Sequence, residues 1–316
     1  MAMETKAKGH LSALLTIAIW GSTFIATKIL LKAFLPVEIL FFRFLIGYIV
    51  LLVVSPKRLK TTGWKQEITY VTAGLCGIYL YYLLENIALT FTFASNVGVV
   101  VSIAPFFVAI LSQIFMRSEE KLHIKFFVGF IVAMAGIICI SFNGAQLKLN
   151  PAGDILAIVA AVVWGLYSIL TKKISSFGYS VILSTRRTFF YGILFMIPTL
   201  FAFDAPMDIS RFANVSYLLN FLYLGVGASA ICFVTWNYAV KELGAVKTSV
   251  YIYMVPVITV FTSIIVLHEE LTTLSIVGTL LTLAGLFLSE GKTKNRPKKS
   301  VNVFAPLKNI FMFGNH

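Results

Sequence analysis

Four charged residues lie inside long apolar runs of this 316-residue chain: Arg43, Glu85, Arg186 and Arg187. An ionised side chain at the centre of a membrane helix costs about 2.5–3.5 kcal/mol on insertion scales, so such residues mark pairing partners or pathways for ions and solutes. Arg43 stands six residues into its run, and Glu85 stands five residues from the end of the next. At ~1.5 Å per residue both sit about 8–9 Å deep. The matched depth predicts an Arg43–Glu85 ion pair near one face. Proton coupling or capture of a substrate cation is the competing role for Glu85. Arg187 has the mirrored depth at the opposite face, where Trp236 matches Glu85, so an Arg187–Trp236 cation–π contact is expected there. Arg186 is expected to snorkel or to meet Glu242.

Polar and aromatic residues accompany these charges. Tyr79, Tyr82, Asn86 and Leu89 follow i, i+3, i+7, i+10 spacing and would share one helical face, with Glu85 flanking it. An aromatic–amide face suits a small amphipathic solute. Asn86 and Asn237 need partners once buried, and both ligand contact and interhelical bonding are open to them. Pro105 and Pro256 should kink their helices and free the carbonyls of Val101 and Ile252, close to Ser102, Ser249 and Tyr253. Trp20 and Trp164 fall well inside apolar runs, away from the interfacial belt, and are candidate cavity walls or gates.

These residues need a scaffold, and composition names it. Hydrophobic residues make up 59% of the chain and charged residues 12%, against about half and a quarter in soluble domains. Mean hydropathy is +0.90. A cytosolic enzyme, a nucleic-acid-binding domain and a disordered chain are thereby excluded, and a polytopic α-helical membrane protein is expected. Ten runs can form spans: 11–31, 37–55, 68–90, 94–116, 124–142, 154–172, 180–203, 215–239, 244–267 and 274–290. The first is too long for a signal-peptide core and has no A-x-A cleavage pattern. With the N-terminus inside, 19 of the 26 Lys and Arg fall on the inner side, four on the outer side and three within spans. That bias predicts both termini in the cytoplasm, and it explains the net charge of +13 without a nucleic-acid partner. The tail's basic run, Lys292 to Lys299, suits contact with anionic lipid, and Val301–Phe313 suits the membrane surface. Cys76, Cys139 and Cys232 form no CxxC and read as buried small hydrophobes. The four histidines, His10, His123, His268 and His316, sit at segment ends. No metal, haem or other cofactor is implied.

The chain also repeats itself. Gly9, Ala13, Trp20, Gly21, Thr27, Lys28 and Arg43 recur at an offset of 144 as Gly153, Ala157, Trp164, Gly165, Thr171, Lys172 and Arg187. Asn86, Ala88 and Pro105 recur at 151 as Asn237, Ala239 and Pro256. Glu120, Gly129 and Gly136 recur at 149 as Glu269, Gly278 and Gly285. Five spans per repeat is an odd number, so the second repeat enters from the opposite side, a secondary-transporter design. The heptad-spaced glycines of spans 5 and 10 predict close internal packing.

Trp20-Gly21-Ser22-Thr23-Phe24 with Lys28 and Arg43, and Ala88-Leu89 through Pro105 to Glu120, Gly129 and Gly136, together resemble the EamA-type drug/metabolite transporter superfamily. The second half repeats the pattern through Trp164-Gly165, Arg187, Ala239, Pro256, Glu269, Gly278 and Gly285. The resemblance covers residues 9 to 290. It implies a ten-helix basket whose spans 1, 3, 4, 6, 8 and 9 line a central cavity while spans 5 and 10 pack outside. It also implies export of amino acids or related metabolites across a bacterial inner membrane. An acidic residue at Glu85 departs from the family pattern.

The expected organisation is a cytoplasmic N-terminus (1–10), a first five-helix repeat (11–143), an inverted second repeat (144–290) and a basic cytoplasmic tail (291–316). The expected function is secondary active transport by alternating access, with protons, exchange or the solute gradient as driving force. No Walker motif is present, so ATP is not the direct energy source. The substrate-binding candidates are Trp20, Tyr79, Tyr82, Glu85, Asn86, Ser102, Trp164, Trp236, Asn237 and Tyr253. Arg43, Glu85 and Arg187 are the gate or ion-pair candidates. Pro105 and Pro256 are the kinks. Partners are a small-molecule solute, protons and membrane lipid, and a monomer suffices. A drug or nucleotide-derivative carrier is the alternative. A membrane-embedded enzyme lacks its residues: there is no HExxH, no histidine cluster and no pair of intramembrane aspartates.

Overall fold

The computed structural model describes residues 2–60, 63–91, 97, 100–116, 124–141, 151–258, 262 and 273–289. Among them every regular element is helical. In chain order these are α1 (Ala2–Leu30), α2 (Pro36–Val54), α3 (Trp64–Phe91), α4 (Ala104–Phe115), α5 (Ile124–Ser141), α6 (Pro151–Ser175), α7 (Val181–Ala202), α8 (Val215–Leu243), α9 (Ala245–Ile258) and α10 (Thr273–Ser289). Five of them, α1, α2, α3, α6 and α8, are long and apolar enough to cross a membrane. The outward side chains are apolar too: Val53, Ile131, Phe201 and Phe287 are exposed. A surface of this kind faces lipid rather than water. Glu120, Glu269 and the tail after 290 lie outside the described residues.

Local sequence explains the ends. Pro36 opens α2 from its first turn, and the Glu38 carboxylate reaches back to the Leu35 amide at 2.8 Å, which satisfies a donor the helix cannot. Asn214 caps α8 through the Ser216 and Tyr217 amides. Gly244 joins α8 to α9 at φ +93, a conformation open to glycine and costly for side chains with a Cβ.

Contacts between the two sets of five helices come in mirrored pairs. α1 packs on α8 and α6 on α3; α2 packs on α8 and α7 on α3; α2 meets α7, α4 meets α9, and α5 meets α10. The start of α1 and the end of α6 lie at the same end of the bundle. Lys8 shares a groove with Ser180 and Tyr238, and Lys172 donates to the Lys241 carbonyl at 3.3 Å. The two sets therefore run in opposite directions.

The mirror extends to irregularities. α3 widens into a π-helix over Gly74–Leu80, and α8 does so over Tyr223–Ile231. Each widened turn carries glycines pressed against the second helix of the other set. A Cβ on Gly74 would lie 2.7 Å from the Thr188 carbonyl oxygen, and one on Gly225 would lie 2.5 Å from Ile46. The two proline breaks also correspond. Before Pro105 the helix gives way to a turn at 102–103, and before Pro256 it tightens into a 3₁₀ turn at Val250–Tyr253.

The glycine faces of α5 and α10 meet, as their heptad spacing predicts. A Cβ on Gly285 would stand 2.3 Å from the Ala133 amide nitrogen, and one on Gly129 2.6 Å from the Gly285 carbonyl oxygen. Backbone cannot step aside as a side chain can. Gly285→Ala is accordingly expected to destabilise the protein by about 1–3 kcal/mol, read as a lower unfolding midpoint in detergent. Gly63→Ala, where no atom lies within 4 Å, should leave that midpoint unchanged.

Candidate functional site

The mirrored breaks face one another across the bundle and leave a cavity of about 50 Å³. It holds space for a few water molecules. Trp20 and Thr23 come from α1, Tyr81, Tyr82 and Glu85 from α3, and Trp164 from α6. Val101 and Ser102, just before α4, and Ile252 and Val255 of α9 complete the wall. The Trp20 ring meets Trp164 edge-on at 5.4 Å, and its Nε1–H donates to the Ala228 carbonyl at 2.9 Å. Tyr81 lies 4.7 Å from Trp164 and 4.8 Å from Tyr82 between ring centroids.

Glu85 sits among these rings, 8% exposed. Its Oε2 has no hydrogen-bond partner. Tyr81 and Arg43 are the polar and charged groups that act on it. The expected Arg43–Glu85 ion pair is not formed directly among the described residues. Arg43 Nε instead donates to Ser229 Oγ at 3.2 Å, and its guanidinium lies 4.5 Å from the Tyr82 centroid and 5.2 Å from that of Phe44.

The other expected contacts are also redrawn. Arg187 does not stack on Trp236. It pairs with Glu67, at 2.7 Å from Nε and 2.5 Å from Nη2 to Oε1. A carboxylate in reach outcompetes a ring face, and Tyr191 donates to the same oxygen. Arg186 meets neither solvent nor Glu242; it donates to the carbonyls of Ser55 and Lys57 and so closes the end of α2. Trp236 is fully buried behind the cavity, 5.1 Å from Trp20 and 6.0 Å from Trp164.

Tyr79 and Asn86 do not share the cavity face. Tyr79 turns to α7, where its hydroxyl lies 2.5 Å from Thr199 Oγ1 and its ring stacks on Phe195. Asn86 donates to the Pro36 carbonyl at 3.3 Å. Its counterpart Asn237 accepts from Tyr167 at 3.0 Å and donates to Thr185 at 2.9 Å, so both amides bond between helices. Asn237 also borders a second, smaller recess with Thr171, Ser184 and Lys241, toward the α1-start end. Tyr253 is buried, with its hydroxyl unpartnered, outside the cavity wall.

Two groups escaped the sequence reading. Tyr81 lines the cavity one turn from Glu85, and an i, i+4 aromatic–acid pair was a usable signal. Glu38 and Arg211 form a second charge contact between the helix sets. Glu38 is fully buried and holds the Arg211 guanidinium, along with the Met207 amide at 3.1 Å. Arg211 also reaches the Ala33 carbonyl at 2.6 Å and lies 4.2 Å above the Phe34 ring. Beside it, hydrogen bonds from Ser210 hold the Asp208 carboxyl below its usual range. Position 67 maps onto 211 at the 144-residue offset, which was the signal available. Glu67 and Arg211 thus occupy matched positions with opposite charge, and each crosses to the second helix, or its leading turn, in the other set.

A bundle of apolar helices in two mirrored sets, built around an aromatic–carboxylate cavity, belongs to the class of multi-span membrane carriers. The model of the EamA-like transporter family matches residues 7–142 and 151–290, and the chain belongs to that family. An uncharacterized transporter of Archaeoglobus fulgidus is 26% identical over 298 residues, covering 90% of this chain and 98% of that one. One from Clostridium kluyveri is 28% identical over 314 residues, covering 93% and 97%. A protein of Streptantibioticus cattleyicolor named "Probable terminal-alkyne amino-acid exporter" is 25% identical, covering 90% and 94%. A solved crystal structure shares the fold with a TM-score of 0.72 at 18% identity, covering 90% of this chain and 96% of that one.

Proposed function

We propose that this transporter is a secondary carrier that exports amino acids or related small metabolites across the cell membrane by alternating access. In this reading the chain crosses the membrane ten times. Residues 11–143 and 144–290 are the two inverted repeats, and residues 1–10 and 291–316 lie in the cytoplasm. The observation that carries the reading is Glu85: a carboxylate buried among aromatic rings, with one oxygen lacking a hydrogen-bond partner, at a cavity both helix sets wall. The amino-acid exporter name of the Streptantibioticus cattleyicolor relative supports the solute class.

Trp20, Tyr82, Glu85, Ser102 and Trp164 are the proposed solute contacts. Glu67–Arg187 and Glu38–Arg211 are the proposed latches at opposite ends, and the breaks before Pro105 and Pro256 let the ends move. The solute gradient or exchange suffices to drive such a cycle, and Glu85 is the group through which protons would enter it.

The test is counterflow of a labelled amino-acid panel in proteoliposomes, with and without an imposed pH gradient. Saturable counterflow supports the carrier, and none by a folded protein refutes the amino-acid reading. The latch makes a further prediction. Glu67→Gln removes a partly exposed ion pair of about 1 kcal/mol, so Ser184→Cys in the adjoining recess should react roughly fivefold faster with a membrane-impermeant thiol reagent in that background.

A further inference from the structure

We infer that the aromatic cavity holds its solute by a positively charged nitrogen and offers little to a free carboxylate, so that an amine or carboxyl-blocked amino acid binds ahead of the free amino acid. This deepens the carrier reading and rests on it.

The cavity's charge is one-sided. Among the described residues Glu85 is the only formally charged one of its wall, and its Oε2 is buried without a partner. Burying an ionised carboxylate without a counterion is strongly unfavourable, so a cation entering the cavity is held by an unmet need of the protein. The rings around it strengthen the preference. Trp20, Tyr81, Tyr82 and Trp164 present π surfaces within one small space, and such surfaces attract ammonium groups. Arg43 acts on Glu85 from outside the wall, but its guanidinium is engaged by Ser229, Tyr82 and Phe44 and is not among the groups that line the cavity.

A solute carboxylate finds much less. Among the described residues no Lys, Arg or His lines the cavity. The donors of the wall are neutral, the Trp164 indole N–H and the hydroxyls of Thr23, Tyr81, Tyr82 and Ser102. Masking the carboxylate as an amide or omitting it removes an uncompensated charge, whereas acylating the amine removes the group Glu85 needs. The structure therefore ranks three related solutes: leucinamide, then leucine, then the larger N-acetylleucine.

The experiment is titration of tryptophan fluorescence of the full chain in lipid nanodiscs with each of these compounds. Trp20 and Trp164 in the wall supply the signal. Leucinamide is expected to bind at least tenfold more tightly than N-acetylleucine, with leucine between them. In Glu85→Gln, with helicity and unfolding midpoint checked, the leucinamide advantage should fall to less than threefold. The ranking within the unaltered protein stands even if that variant does not fold. N-acetylleucine binding as tightly as leucinamide would overturn the inference. So would saturable leucine counterflow by a protein that binds none of the three better in its cationic form. The second result would leave the carrier reading intact, while cation-selective binding without counterflow would remove that reading and keep the site.

Discussion

Glu85→Gln is expected to lower solute counterflow ten- to a hundredfold while leaving the protein folded. The amide is close to the carboxylate in shape, so the packing against Tyr81, Tyr82 and Trp164 survives. No direct ion pair is lost, since Arg43 is held by Ser229 and two rings. What disappears is the negative charge at Oε2. A charge-assisted hydrogen bond is worth about 1.5–3 kcal/mol, which corresponds to roughly ten- to a hundredfold in affinity. The measurement is initial counterflow rate per folded transporter, with the unfolding midpoint as control. A normal rate would remove Glu85 from the solute site. A protein that fails to assemble would make it a structural residue.

Glu38→Ala is expected to have the opposite signature: a large loss of stability from a residue distant from the cavity. Glu38 is fully buried and serves three partners at once, the Leu35 amide, the Met207 amide and the Arg211 guanidinium. Deleting one member of a buried pair costs about 3–5 kcal/mol, because the other charge is left uncompensated. Arg211 is partly exposed and can turn outward, so the lower part of that range is expected. Arg211→Ala should cost less than Glu38→Ala, since the two backbone amides keep their acceptor. Exchanging the residues, Glu38→Arg with Arg211→Glu, should not restore stability, because arginine cannot accept from those amides. Chemical denaturation of the four proteins in detergent checks this. Full recovery in the exchange would show that only the charge pair mattered.

The helical architecture was legible because its causes are local. Apolar runs of the right length, proline at helix starts and glycine faces at heptad spacing each act within a few residues. The mirrored halves were legible because Trp-Gly, Arg and Pro recur at near-constant offsets. Within the site, Trp20, Tyr82, Glu85, Ser102 and Trp164 were found and do line the cavity. Tyr79 and Asn86 were placed with them by 3.6-residue arithmetic. The π-helix at Gly74–Leu80 changes the step per residue, so a regular wheel drawn across it to Tyr79 points the wrong way. Asn86 and Tyr81 lie beyond it in regular helix, where the Pro36 carbonyl draws Asn86 aside and Tyr81 takes the cavity face. Depth along a helix could be read from sequence, which is why Arg43 and Glu85 looked paired. Azimuth depends on packing against other helices, and there Tyr82 and Ser229 won the guanidinium. The latch partners Glu67 and Glu38 sit at helix starts, where an acidic residue ordinarily serves the helix dipole. Only the matched positions of Glu67 and Arg211 hinted at more.

Access to the cavity from both sides is the central claim, and thiol labelling tests it most directly. Ser102 is buried in the cavity wall. Ser102→Cys, in a background with Cys76, Cys139 and Cys232 replaced, would be exposed to a membrane-impermeant thiol reagent from one side at a time in oriented proteoliposomes. The carrier predicts reaction from either side, slowed by solute in both cases. Reaction from one side alone, or equal rates with and without solute, would contradict alternating access around this cavity.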